Sequence, residues 1–223
     1  MGNALDTVKE FFQQGGPFMY VNLVFSAVAV ALIVERSLAL FRASLPGPAF
    51  MGQLIQQVRE GHLDRAMQLC AAVPEAALAR VLKAGLSRAN RGEQEVANAL
   101  EEAILEVTPM LQKRIASLWS VANIATLTGL IGTIAGLIGS FKALGKANPA
   151  QKAELLSRGI SEAMNNTAFG LSIAVVCIIG HLLLTNRSKG MIEEIELNSM
   201  RLENLLARRA AGEVNPAEQG RAV

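Results

Sequence analysis

Along most of the chain polar and apolar positions alternate with helical spacing, but in three stretches the polar face disappears. From Phe11 to Val34 no residue carries a formal charge, and Phe18–Val34 is strongly apolar. Ile115–Phe141 is a second uncharged run and Ala163–Asn186 a third, the last interrupted chiefly by Asn165, Asn166, Thr167 and His181. A spanning helix needs about 20 mostly apolar residues, because hydrocarbon cannot satisfy an open backbone group. The pattern predicts an all-α membrane protein with transmembrane helices over 17–41, 115–141 and 163–186. The first run is longer than the 7–15 residues of a signal-peptide core. Glu35-Arg36 follows it in place of a small-residue cleavage site, which makes an uncleaved anchor the expectation.

Between the first two spans, over 42–114, the pattern is helix after helix. Pro48 opens one, Gly61 ends it, Asp64–Val73 continues, Pro74 restarts a helix through Arg88, and Gly92 precedes the next. From there Val96, Leu100, Ile104, Val107, Leu111, Ile115 and Leu118 form one apolar stripe that enters the second span, with a kink expected at Pro109. Beyond the third span Ile192, Ile195, Leu202, Leu205 and Leu206 keep helical spacing. The second and third spans are therefore expected to continue as long helical extensions, the latter over 187–210. Residues 1–16 read as an N-terminal amphipathic segment, 142–162 as a turn and 211–223 as a flexible tail.

Charge places these pieces. Arg36, Arg42 and a run of basic residues through Arg114 follow the first span, and Arg187, Lys189 and Arg201 follow the third. The bias puts the 42–114 region and the C-terminus in the cytoplasm and the N-terminus outside. Lys142, Lys146, Lys152 and Arg158 in the opposite turn pull weakly the other way. Only 18% of residues are charged and 51% are hydrophobic, against about 25% charged in soluble domains. A net charge of +2 gives no basic patch for nucleic acid. Cys70 and Cys177 make no metal or redox motif, and no nucleophile–base set suggests an enzyme.

The candidate chemistry lies in the second and third spans. Gly129, Gly132, Gly136 and Gly139 make one narrow stripe, beside a hydroxyl stripe of Thr126, Thr133 and Ser140. On the third span Ala163, Asn166, Gly170, Ala174, Cys177 and His181 share a face, with Thr167 at its edge. Small residues allow close helix approach, and polar ones can bond across it. The glycines therefore read first as packing residues. The hydroxyls and Asn166 read as an ion path or as interhelical glue. Glu162 reads as an entry group or a charged helix end, and His181 as a relay or a structural histidine. A proton-driven device needs a titrating group, and no acid stands at mid-membrane in this chain. An acid would have to come from a partner.

Gly129-Leu130-Ile131-Gly132-Thr133 with Ile134-Ala135-Gly136 resembles the second-span signature of the MotA/TolQ/ExbB proton-channel family. Gly159-Ile160-Ser161-Glu162-Ala163, then Thr167-Ala168-Phe169-Gly170-Leu171, resembles its third-span signature. Gly15-Gly16-Pro17-Phe18-Met19-Tyr20 through Glu35-Arg36, and Leu100-Glu101-Glu102-Ala103, are similar to ExbB-type chains, so the likeness covers about 15–205. The resemblance implies a ring, a pentamer of three-span subunits in the bacterial inner membrane. Within it sits a pair of ExbD/TolR-like single-span partners, each carrying an essential aspartate, which act on a periplasmic or outer-membrane effector. It places the pore threonines at Thr133 and Thr167 and the third-span glutamate at Glu162. It implies no cofactor beyond the proton motive force; the hydroxyl face suits Na⁺ as well, and the resemblance favours H⁺.

The chain departs from that pattern at Thr126 and Val176, where such chains carry proline, and at Asn165 and Asn166, where they are aliphatic or small. That points to a specialised branch such as a gliding-motility motor beside uptake or Tol systems, while four-span flagellar stators fit less well. The competing readings are a non-conducting membrane scaffold and a small secondary transporter. Against the transporter, the sequence has no inverted repeat or broken-helix pair.

Overall fold

The computed structural model describes residues 15–44, 47–145 and 148–210. Within them the regular elements are helical: α1 Gly16–Ala43, α2 Gly47–Arg59, α3 Leu63–Ala71, α4 Ala77–Ser87, α5 Glu93–Gln112, α6 Ile115–Leu144, a 3₁₀ turn Pro149–Gln151 and α7 Lys152–Ala210. Three helical stretches, carried by α1, α6 and α7, are long and apolar enough to cross a membrane. The N-terminal segment expected over 1–16, apart from its last two residues, and the tail expected over 211–223 lie outside the described residues.

The chain divides into two compact units. The first takes α1 as far as Arg36, α6, and α7 as far as Leu184. Its core is built mostly of small side chains, Ala29, Val121, Ala122, Ala125, Ala174 and Cys177, with Ile173, packed by Phe25, Leu32 and Phe169. Small residues bring helix axes close, and close approach supplies the van der Waals contact that association in lipid depends on. The larger aliphatics, among them Val24, Ile131, Ile134, Val175 and Leu182, are exposed on this unit, as expected for surfaces facing acyl chains or other spans.

The second unit holds Ser37–Lys113 and the chain from Thr185 onward. Here the amphipathic stripes find their partners: α2 packs on α3, α3 on α4 and α4 on α5. Val96, Leu100, Val107 and Leu111 of α5 are buried, as are Ile195, Leu202 and Leu206 of α7. A Cβ at Gly85 would meet Leu100, so this glycine lets α5 close onto α4. Gly61 and Gly92 take φ of +87° and +109°, the left-handed side of the map, and end or precede helices accordingly. Cys70 is buried, and burial pushes its thiol up to about 11, with the Lys83 charge pulling weakly the other way.

Two expectations are corrected. The apolar stripe does not run unbroken into the second span. Pro109 stands inside α5 and the helix carries on past it, while the chain breaks at Lys113, which is extended, and Arg114, at φ 58°. The left-handed turn costs a non-glycine residue about 1–2 kcal/mol. Arg114 is held there by two hydrogen bonds to Glu35, at 2.7 and 2.9 Å, and Arg36 donates to the same carboxylate at 3.0 Å. Glu35 therefore pairs with two arginines of its own chain. The turn expected over 142–162 is also shorter than that: α6 runs to Leu144 and α7 starts at Lys152, so Arg158 and Glu162 stand on a helix. From there α7 is one helix of 59 residues, with no break between the third span and the segment after it.

Candidate functional site

Three hydroxyls spaced by seven on α6 share one local habit. Thr126 donates to the Ala122 carbonyl at 3.0 Å, Thr133 to Gly129 at 3.1 Å and Ser140 to Gly136 at 2.8 Å. This back-bond to residue i−4 is the default for a hydroxyl with no water nearby. Only Thr133 does more. Its Oγ1 also lies 3.1 Å from the Ala163 carbonyl of α7 and in direct contact with Thr167 Oγ1. The predicted stripe is thus not one cluster: the structure brings Thr133 to Thr167 and leaves Thr126 apart.

Thr133 has a single hydrogen and two carbonyls that can only accept. One order therefore serves the group best: Thr167 donates to Thr133, and Thr133 to a carbonyl. The lone pairs of Thr167 Oγ1 are what this order leaves open. A hydroxyl can accept from a neutral carboxyl and, by rotating, donate to a carboxylate. The pair can therefore serve either protonation state of an acid without titrating itself.

The backbones come close because glycine is there. A Cβ on Gly129 would lie 2.9 Å from the Asn166 carbonyl oxygen, and one on Gly132 would lie 3.0 Å from both Asn166 Cγ and Phe18 Cβ. On Gly170 it would stand 2.7 Å from the Ala125 carbonyl oxygen and 3.2 Å from Gly129 Cα. Gly136 meets Ala163 at ordinary contact distance. Gly139 is the exception: it is exposed, nothing lies within 4 Å of its Cβ position, and it packs no helix within the described residues. The periodicity put it on the packing stripe, but at that turn Ser140, beside it, makes the contact with α7 at Gly159.

Asn166 is 2% exposed. Its Nδ2 donates to the Gly15 carbonyl at 2.6 Å, tying the start of α1 to α7, and to Glu162 O at 3.3 Å, while Oδ1 is unpartnered among the described residues. Glu162 is half-buried on α7. With Arg158, Ser140, Gly139 and Pro17 it lines a cleft of about 430 Å³ that ends at Asn166. Ser140 occupies the space where Gly159 would carry a side chain, so it closes the α6–α7 contact and does not join the hydroxyl pair.

His181 stands away from this group. Its Nδ1 lies 3.0 Å from the Ile115 carbonyl and its ring is 6.2 Å from Trp119. A carbonyl only accepts, which places a proton on Nδ1. The contact holds the first turn of α6 against α7. No bond joins His181 to Thr133 or Thr167. Among the described residues no group of three His, Cys, Asp or Glu side chains could hold a metal ion.

Sequence reasoning missed Asn22. It is 0% exposed on α1, and both amide atoms are without a partner among the described residues. Its only signal was a single amide inside the apolar run of the first span.

The profile of the MotA/TolQ/ExbB proton channel family matches residues 74–197. An ExbB homolog among the biopolymer transport proteins, from Methanothermobacter thermautotrophicus, is 26% identical over 197 residues, covering 87% of this chain and 69% of its own. The biopolymer transport protein exbB1 of Vibrio cholerae is 27% identical over 186 residues, covering 81% and 80%. The Tol-Pal system protein TolQ of Pseudomonas aeruginosa is 28% identical over 130 residues, covering 53% and 56%.

Proposed function

Because the chain belongs to the MotA/TolQ/ExbB proton channel family, whose members are channel subunits and not enzymes, we propose that it forms the channel wall of an inner-membrane motor. The motor draws on proton motive force and delivers mechanical work across the periplasm. The observation that carries this reading is the contact between Thr133 and Thr167, two hydroxyls from different helices inside apolar spans. The spans contain no acid of their own between Ile115 and Phe141 or between Ala163 and Asn186. The titrating group is therefore a partner's carboxyl, from an ExbD/TolR-like single-span chain set among several copies of this one, five in the family pattern.

In this account Glu162 and its cleft form the outer approach, Asn166 the polar step below it and the hydroxyl pair the place where the partner's acid is received. The acid docks neutral on the open lone pair of Thr167, gives its proton to water on the cytoplasmic side, and is held as a carboxylate by a rotated hydroxyl. One charge moved through 100 mV yields about 2.3 kcal/mol, so a sizeable mechanical step draws on several protons. The N-terminus lies outside and the C-terminus in the cytoplasm. The ion is H⁺, and the driven process is biopolymer transport, envelope maintenance or gliding. A non-conducting scaffold is the second reading, favoured by one observation: Thr126, Thr133 and Ser140 all find carbonyls on their own helix.

The two readings part in reconstituted vesicles. The complex with its single-span partner is expected to dissipate an imposed pH gradient, and this chain alone is expected to hold it. A complex that assembles but passes no protons supports the scaffold. Rapid leakage by the chain alone contradicts the borrowed-acid account.

A further inference from the structure

We propose that Asn22 binds a water molecule within the first unit, and that this water extends the polar track of Thr133, Thr167 and Asn166 onto α1. Asn22 is wholly buried inside a single chain, so neither a neighbouring copy nor a partner's span can reach its amide. Both Nδ2 and Oδ1 are unpartnered among the described residues, so turning the amide over repairs nothing. A buried donor and acceptor left open are a substantial penalty in hydrocarbon, where no bulk water competes. The ligand that answers both at once, and brings no charge into the bilayer, is water. Buried waters commonly make about three hydrogen bonds to groups that lack other partners.

The surroundings continue the polar track of Thr133, Thr167 and Asn166. One turn of contact joins Phe18, Gly132 and Asn166: the first and last of these both lie 3.0 Å from the Cβ position of Gly132. In the next turn Asn22 Nδ2 lies 3.3 Å from the Cβ position of Gly170, with the Ala125 carbonyl oxygen 2.7 Å from that same point. The open Oδ1 of Asn166 thus stands one helical turn from the open amide of Asn22, across the same seam. Gly170 presents no side chain to Asn22. A water on the Asn22 amide, clear of the tight Gly170–Ala125 contact, gives a proton a neutral, hydrogen-bonded step between α7 and α1, and Asn22 acts as its positioning residue.

The relay half of this inference rests on the proton-pathway reading; the hydration half does not. The test therefore has two readouts on the full complex with its partner. In a cryo-microscopy map that resolves waters, density is expected within about 3.2 Å of an Asn22 amide atom. An amide re-paired onto protein, with no such density, overturns the proposal. In vesicles, Asn22→Leu is expected to lower proton flux about 10-fold, less than the roughly 100-fold or more of losing a proton-transfer group, because Asn22 positions the water and transfers no proton itself. Its melting temperature should be unchanged or higher. Asn22→Ser, which keeps a donor and acceptor, is expected to retain most of the flux. Equal flux in Asn22→Leu and wild type, with the water present, overturns the relay. A wild-type complex that passes no protons sinks the channel reading, while the density still decides the water.

Discussion

Replacing Thr133 and Thr167 together by valine is expected to lower proton flux through the reconstituted complex about 100-fold or more, the scale set by losing a positioned proton-transfer group. Assembly and stability are expected to be nearly intact. Valine matches threonine in shape, and the Gly129 and Ala163 carbonyls that Thr133 touches belong to continuous helices whose backbone bonds remain. A lost net hydrogen bond is worth about 0.5–1.5 kcal/mol, too little to unmake a membrane core. The single variants should separate by position. Thr167→Val removes the open acceptor, whereas Thr133→Val removes the hydroxyl that orients it. The check is flux measured beside the elution profile of the same preparation. Full flux in the double variant would take the hydroxyl pair out of the proton path.

The second large effect is on packing. Gly170→Ala is expected to destabilise the protein by about 1–3 kcal/mol, as overpacking does in tight cores. The added methyl would stand 2.7 Å from a backbone carbonyl oxygen, Ala125 O, and 3.2 Å from Gly129 Cα. Neither atom can swing aside as a side-chain end could, so whole helices must part. Gly139→Ala is the matched control, since nothing lies within 4 Å of its Cβ position. Thermal unfolding in detergent should show a clear loss for the first and none for the second. Equal melting temperatures would mean that the α6–α7 contact is looser than described.

The three spans were legible in the sequence because composition alone decides them: a run such as Ile115–Phe141 has no soluble alternative. The second-unit stripe of Val96, Leu100, Val107 and Leu111 was legible for the same reason, since period and burial agree. What periodicity could not tell was which members of a stripe meet another helix. Thr126, Thr133 and Ser140 are equivalent by spacing, yet helices cross at an angle and only one turn, that of Thr133, faces α7 closely enough to bond. Gly139 failed because no atom lies near its Cβ position, and its neighbour Ser140 makes the α7 contact at that level. The break at Lys113–Arg114 was hidden because the apolar spacing continues across it. It depends on a carboxylate, Glu35, that lies 79 positions away. Asn22 went unread because its significance is its burial, and burial is a tertiary fact.

The central claim is that the face carrying Thr133 and Thr167 meets water and a partner's acid, while the aliphatic face of α6 meets lipid or packing. Thiol chemistry tests it directly. Cys70 and Cys177 are buried, and the Cys70 thiol is pushed up to about 11, so the native background is expected to be quiet. Cysteines placed singly at Thr133, Thr167 and Ile134 in the partnered complex would be exposed to a charged, water-borne thiosulfonate, which reacts with thiolate. The account predicts modification at Thr133 and Thr167 with block of proton flux, and no reaction at Ile134. Inert cysteines at both threonine positions, in a complex that still conducts, would contradict it.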